Sequence, residues 1–384
     1  MTFEGRLLSV AFRGPGFDQM RLIAATIVLL HHCRGIQYPK IQIDPLYHYS
    51  GGYMDFGRFA VVIFFAISGF LVTPGLMRSG GVDYAVNRTA RIFPGLIVNV
   101  ALTILVLGPI LTRLPLMSYF TDPGTYVYAK NISTLTVNYL PGVVSRDGSL
   151  LIVNGALWTL HFEVLCYIAL VVFWAAGLLS RRGFLLAVWL ASYAIYIAIS
   201  VDPTFRDIVT ERLLALDPRL DRLLTFDSLF VFFGSGVLLY LFRELIPFSL
   251  AYAFAASALA LAAMPLGAGS IFMPICLPYL VIFCGLSSLP GKAVLKHDVS
   301  YGVYLIHAPI LIGFGVALPD VHTWWIGAVT VFLVTLVLAY ASWIFVEGPA
   351  LKKKKAVLNW IQYRIEQIRP PLRESDPLQP PAAE

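Results

Sequence analysis

The chain has 384 residues, 58% of them hydrophobic and 13% charged, with a mean hydropathy of +0.76. Soluble domains carry about 25% charged residues, so this composition excludes a soluble globular protein; recurring apolar runs of roughly 18 residues or more point to a polytopic membrane protein. The net charge of +6 is spread over many short loops rather than gathered on a nucleic-acid-binding face, and Cys33, Cys166, Cys276 and Cys284 fall in or at the ends of apolar segments, as small core residues rather than a disulfide framework or metal site.

The apolar runs predict an all-α membrane protein of about ten transmembrane helices, at roughly 18–36, 57–77, 93–112, 156–179, 184–201, 226–245, 248–266, 270–288, 299–318 and 323–347. The first run is read as a retained anchor rather than a cleaved signal. An even count puts both termini on one side. Alternate loops are richer in basic residues: Arg6 and Arg13; Arg78, Arg88 and Arg91; Arg181 and Arg182; Arg243; Lys292 and Lys296; and Lys352 to Lys355. That set is expected on the cytoplasmic face, and both termini with it. Residues 1–350 then form the membrane domain, and 351–384 a cytoplasmic basic, amphipathic helix with a proline-rich disordered tail.

The first run reads DQMRLIAATIVLLHHCR over Asp18 to Arg34. Arg21 and His32 are eleven residues apart, almost three whole turns, so both point the same way about 16 Å apart along the helix. Ionisable groups at that depth need a partner, a hydrated cavity or a function. The plain reading is a snorkelling arginine and a hydrogen-bonded interior histidine. The functional one makes His32 a general base. His31 lies off this stripe as a structural neighbour.

In the second run, GRFAVVIFFAISGF, Ser68 and Gly69 suit close helix packing and Arg58 an outer-interface anchor. Arg88 and Arg91, three apart, share a helical face; two guanidinium forks there suit a polyphosphate-bearing ligand, while the plain reading is positive-inside anchoring. Pro94 is expected at the opening of the following helix. The long connection 113–155 is expected to lie against the bundle or dip partway in, around Ile132 to Leu140, and 202–225 forms a second long outer connection. In LWTLHFEVLCY, Glu163 is an acid inside an apolar helix, able to orient a histidine or arginine or relay a proton; His161 lies on another face. Tyr301, Tyr304 and His307 in VSYGVYLIHAP read first as interior packing, and Glu347 in FVEGP is placed to pair with an arginine of the inner loops.

Together these stretches resemble the membrane-bound acyltransferase 3 family of bacterial cell-surface O-acyltransferases. The resemblance lies in the Arg21/His32 spacing, Phe64-Phe65 with Ser68-Gly69-Phe70, Arg88/Arg91, Leu157-Trp158-Thr159-Leu160 with Glu163, Ser300-Tyr301 with Tyr304-Leu305 and His307, and Glu347 with Pro349. Each motif alone is weak; six in order over about 17–350 are specific. Thr159 stands where serine is usual, Cys166 where phenylalanine is frequent, and Gln19-Met20 replaces a smaller pair, which blurs the subfamily more than the ionisable groups.

The resemblance implies transfer of an acyl group, acetyl in the first instance, from acyl-CoA to a hydroxyl of a cell-surface or exported glycan or lipid-linked saccharide. The setting it implies is the bacterial inner membrane, with no metal and no nucleic-acid partner. His32, Arg21 and Glu163 are the expected catalytic residues, and Arg88 and Arg91 the expected donor-binding ones. His32 serves as base or as transient acyl carrier. A polytopic transporter or flippase for a glycan or small anion is the alternative; the absence of an internal repeat and the motif order speak against it.

Overall fold

A computed structural model describes residues 1–11, 14–37, 44–145, 147–217, 220, 222–287 and 297–318 and 323–368. Among them the fold is all helical, with two isolated backbone bridges, Thr2–Pro247 and Val144–Leu150, and no strand. Among the described residues, seven helices are long and apolar enough to cross a membrane: Phe56–Leu111, Gly155–Ala175, Arg182–Val201, Arg222–Leu241, Gly269–Leu286, Ser300–Ala317 and Trp324–Ile361. Two further expected runs are shorter as helices: Phe17–His32 has 16 residues and continues as a π-helical turn over Cys33–Gln37, and Leu250–Ala263 has 14.

The expected loop between the second and third runs is helical instead. Phe56–Leu102 is interrupted only at Gly80 (φ 78°, ψ 174°), a conformation that a residue without a Cβ adopts freely. Ser68 and Arg88 flank that break. In an unbroken helix they would stand about 30 Å apart, yet both meet Tyr167: its hydroxyl lies 3.3 Å from Ser68 Oγ, and Arg88 Cζ lies 5.8 Å from its ring centre. The chain therefore folds back at Gly80 into two limbs. Burial of Tyr84 and Ile92 holds the second limb helical through what sequence alone reads as a loop, and Pro94 lies inside it rather than at its opening.

Small residues let the first limb cross the Arg222–Leu241 helix closely. A Cβ on Gly69 would come within 2.0 Å of the Phe233 carbonyl oxygen, and one on Gly236 within 2.2 Å of the Ala66 carbonyl oxygen. Backbone thus packs on backbone, as expected for Gly69. Prolines inside the apolar helices are compensated by side chains. Pro309 cannot bond the Leu305 carbonyl one turn back, and the Asn99 and Asn154 amides donate to that oxygen at 3.2 and 2.9 Å. Pro278 likewise leaves the Pro274 carbonyl to the Ser235 hydroxyl, at 2.6 Å.

The connection 113–155 packs on the bundle, as expected. Its Tyr119, Tyr128 and Leu140 are buried, and the Tyr119 hydroxyl donates to the Ile104 carbonyl. Part of the other long connection is a helix, Pro203–Leu216, with no buried residue. The last helix, Gly348–Ile368, carries Lys352 to Lys355. Arg13, Lys292, Lys296 and the proline-rich segment after residue 368 lie outside the described residues.

Candidate active site

Two helices carry the ionisable stripe and its partners. Arg21 and His32 lie near opposite ends of Phe17–His32. Besides Asp18 one turn back on the same helix, 3.3 Å from Arg21 Nη1, their partners come from one other segment: Arg21 Nη1 is 3.5 Å from Asp298 Oδ2, and His32 Nδ1 is 2.8 Å from His307 Nε2. Because both residue numbers rise together, the two helices run parallel and meet at two levels.

The first level is an ion cluster. Arg91 Nη2 lies 2.5 Å from the same Asp298 oxygen that faces Arg21, and Arg91 Nη1 lies 4.0 Å from Glu347 Oε2. The Arg91 guanidinium also sits 5.7 Å from the Tyr301 ring centre and 5.9 Å from that of Trp343. Glu347 is 1% exposed and accepts from the Ser342 hydroxyl at 3.0 Å. Asp298 also accepts from the Ser300 backbone N–H and hydroxyl. Burial pushes the Asp298 carboxyl up, but Arg91, Arg21 and the Ser300 hydrogen bonds outweigh it and hold the group below the usual carboxylate range. The sequence reading passed over Asp298; its signal is a carboxylate two residues ahead of the Ser300-Tyr301 motif.

Next to this cluster lies a pocket of about 80 Å³, lined among others by Arg21, Arg88, Arg91, Glu163, Tyr301 and Tyr304. The pair expected to bind a polyphosphate therefore does share one wall, but in different states. Arg91 is tied to two carboxylates. Arg88 lies over the Tyr167 ring and, among the described residues, makes no ion pair. Glu163 accepts from Tyr167 at 2.5 Å and from Ser68 at 3.3 Å. Both contacts lie in the lining of the arginine pocket; the hydrogen-bond partner of His32 is His307 rather than Glu163. His161 packs its ring on Phe162, off this wall.

The second level is the histidine pair. His307 is 0% exposed and meets His32 edge to edge, with ring centres 5.1 Å apart and planes 14° off parallel. His307 Nδ1 lies 3.1 Å from the Val303 carbonyl oxygen. A carbonyl only accepts, so that nitrogen carries the proton. With both rings neutral, His307 Nε2 is then the acceptor and His32 Nδ1 the donor, which leaves the lone pair of His32 on Nε2. His307, read from sequence as packing, thereby sets the tautomer of the expected base. His31 is engaged elsewhere: its Nδ1 lies 3.1 Å from Asp44 Oδ2. Burial raises the Asp44 carboxyl, but N–H donors of Tyr47 and Phe56, together with His31, bring it below its ordinary value.

Tyr304 links the two levels. It lines the arginine pocket, its hydroxyl lies 2.5 Å from Thr159 Oγ1, and its ring centre is 6.1 Å from that of His307. The larger cavity of about 390 Å³ between Gly95–Ile110, Leu305–Ile310 and Leu338–Val346 has no titratable side chain in its lining, whereas the smaller pocket is lined by three arginines and Glu163. Among the described residues, no group of three or more His, Cys, Asp or Glu is placed to hold a metal ion.

Comparison with known proteins bears on these same helices. A family model described as an acyltransferase domain matches residues 15–344. The chain is 29% identical over 365 residues to Nodulation protein 10 of Rhizobium leguminosarum bv. viciae, covering 89% of this chain and 94% of that protein. It is 35% identical over 154 residues to an O-acetyl transferase of Shigella phage Sf6, covering 40% of this chain and 43% of that protein's length. No solved structure matches. The family match runs from before Arg21 to beyond the histidine pair, and with it the chain belongs to the acyltransferase 3 family.

Proposed function

We propose that the protein is a membrane O-acyltransferase that moves an acyl group, acetyl in the first instance, from acyl-CoA to a hydroxyl of a cell-surface or exported glycan. The observation that carries this reading is the His32–His307 pair, which leaves a lone pair on His32 Nε2 in a helix whose other end, at Arg21, lines a pocket with two more arginines. The name of the Shigella phage relative supports the O-acetyl chemistry.

In this reading the donor enters from the cytoplasmic face, with Arg88 meeting its phosphates and Arg91, held by Asp298, shaping the mouth. His32 Nε2 takes the proton of the acceptor hydroxyl. The oxygen attacks the thioester carbonyl, the carbon–sulfur bond breaks, and the departing thiolate of coenzyme A takes the proton from the imidazolium. Arg21 contributes positive charge along the same face. In this reading the chain makes ten passes, counting both limbs of Phe56–Leu111 and the two shorter apolar helices, with both termini on the more basic, cytoplasmic side of the bacterial inner membrane.

The test is acetyl-CoA turnover by purified protein, with mass analysis of the glycan of the producing cell. His32→Ala is expected to abolish transfer while the protein still inserts. Unchanged glycan acylation in that variant overturns the assignment.

A further inference from the structure

A second polar cavity, of about 350 Å³, lies beyond the arginine pocket. The two share Val61, and consecutive residues Trp158 and Thr159 line one each. Along the first limb, Arg58 of this second cavity stands ten residues from Ser68 of the arginine pocket, about 15 Å. The two cavities are thus arranged end to end. Their shared wall is close to the Thr159–Tyr304 hydrogen bond, and Tyr304 adjoins His307 and through it His32. His31, next to His32, approaches Gly57, the neighbour of Arg58.

The chemistry of this cavity differs from that of the arginine pocket. Trp158, Tyr53 and Tyr196 contribute rings, and the two tyrosine hydroxyls bond each other at 2.6 Å. Arg58 and Arg206 contribute cations, with Asp227 as the counter-charge, its Oδ1 held by the Ser192 hydroxyl at 2.5 Å. Arg206 has a neighbour in Asp207, but that pair is exposed to solvent, with Nε and Oδ1 3.3 Å apart and contributes little. Arg58 differs: its Nε is buried and has no hydrogen-bond partner among the described residues. The guanidinium itself meets Tyr196 but, among the described residues, makes no ion pair where it lines the cavity, and the acceptor that suits such a guanidinium best is a carboxylate or phosphate oxygen. Aromatic rings beside hydroxyl and carboxylate groups suit the apolar faces and hydroxyls of a sugar.

We infer that this cavity is the acceptor subsite and that it takes an acidic saccharide, whose carboxylate or phosphate meets Arg58 while its ring lies among Trp158, Tyr53 and Tyr196. The inference rests on the acyl-transfer reading for the word acceptor, and on the cavity alone for the class of ligand. Arg58, expected from sequence to be an interface anchor, is here a specificity residue that selects a charged sugar and positions its hydroxyl toward the histidine pair.

The experiment uses full-length protein in phosphatidylcholine nanodiscs, titrated with methyl β-glucuronide, glucose 6-phosphate and the uncharged methyl β-glucoside. One acidic sugar is expected to bind about ten-fold tighter than the glucoside, the worth of one charge-assisted hydrogen bond. Which one does so distinguishes carboxylate from phosphate. Arg58→Gln is expected to remove the preference and Arg58→Lys to keep part of it. Coenzyme A binding is measured in the same preparations. Its retention in Arg58→Gln shows a folded protein, and its absence from the wild type counts against the donor site rather than against the sugar site. Equal binding of all three sugars, saturable binding of none, or an undiminished preference in Arg58→Gln overturns the inference.

Discussion

His32 and His307, 275 residues apart in the chain, stand 2.8 Å from ring nitrogen to ring nitrogen. His307→Phe keeps an aromatic ring there and removes the acceptor that holds the His32 Nδ1 proton. The expected result is a fall in turnover of about 100-fold, the scale of a positioned general base, with coenzyme A binding unchanged. His307→Gln offers an amide oxygen to the same proton and should recover part of the rate. Equal activity of the Phe and Gln variants would show that His307 only fills space.

Asp298 joins Arg21 to Arg91. Asp298→Asn takes the shared carboxylate from two guanidiniums, leaving Arg21 with exposed Asp18 and Arg91 with Glu347 at 4.0 Å, and breaking a buried pair from one side costs about 3–5 kcal/mol. Thermal unfolding in detergent should show a clearly lower midpoint. The pH dependence has a defined sign. The folded carboxyl lies below its ordinary value, so its contribution is complete above the unfolded pKa of about 4 and is lost as pH falls through the lower folded value. Wild type should therefore lose stability on acidification below about pH 4, and Asp298→Asn should lack that component.

Gly69 and Gly236 admit no side chain where their helices cross. Gly69→Val and Gly236→Val each force backbone apart, and overpacking of this kind costs about 1–3 kcal/mol or more. Both variants should show reduced yield of monodisperse protein on size exclusion. A control at Gly183, where an added Cβ meets nothing within 4 Å, should behave as wild type.

The Leu305 carbonyl depends on Asn99 and Asn154 because Pro309 cannot serve it. Asn154→Ala should cost about 1–3 kcal/mol for the weakened buried acceptor. Pro309→Ala restores an N–H one turn ahead, so the double variant Asn154→Ala/Pro309→Ala should lose less than Asn154→Ala alone. A thermal double-mutant cycle measures that coupling, and strict additivity would remove the explanation.

Much of the bundle was legible from local pattern. Apolar length marked the spans, and the eleven-residue spacing put Arg21 and His32 on one stripe. The stretch from Arg78 to Ile92 was not legible, because its charges read as a loop while its helicity comes from burying Tyr84 and Ile92 against distant helices. Glu347 could be assigned an arginine from its place at the end of a span, and Arg91 lies 4.0 Å from it. Glu163 could be marked as needing a partner, but not given Ser68 and Tyr167.

Sequence by itself determined that this chain lies in a membrane, which residues share a helical face, and, through six ordered motifs, its family. Periodicity and composition act over neighbouring turns, and those suffice. Only the tertiary structure decided that His307 holds the proton on His32, that Asp298 bridges two arginines, and that Arg58 lines a second cavity. Those pairings join helices far apart in the chain, and they are set by the parallel packing of two helices and the fold-back at Gly80.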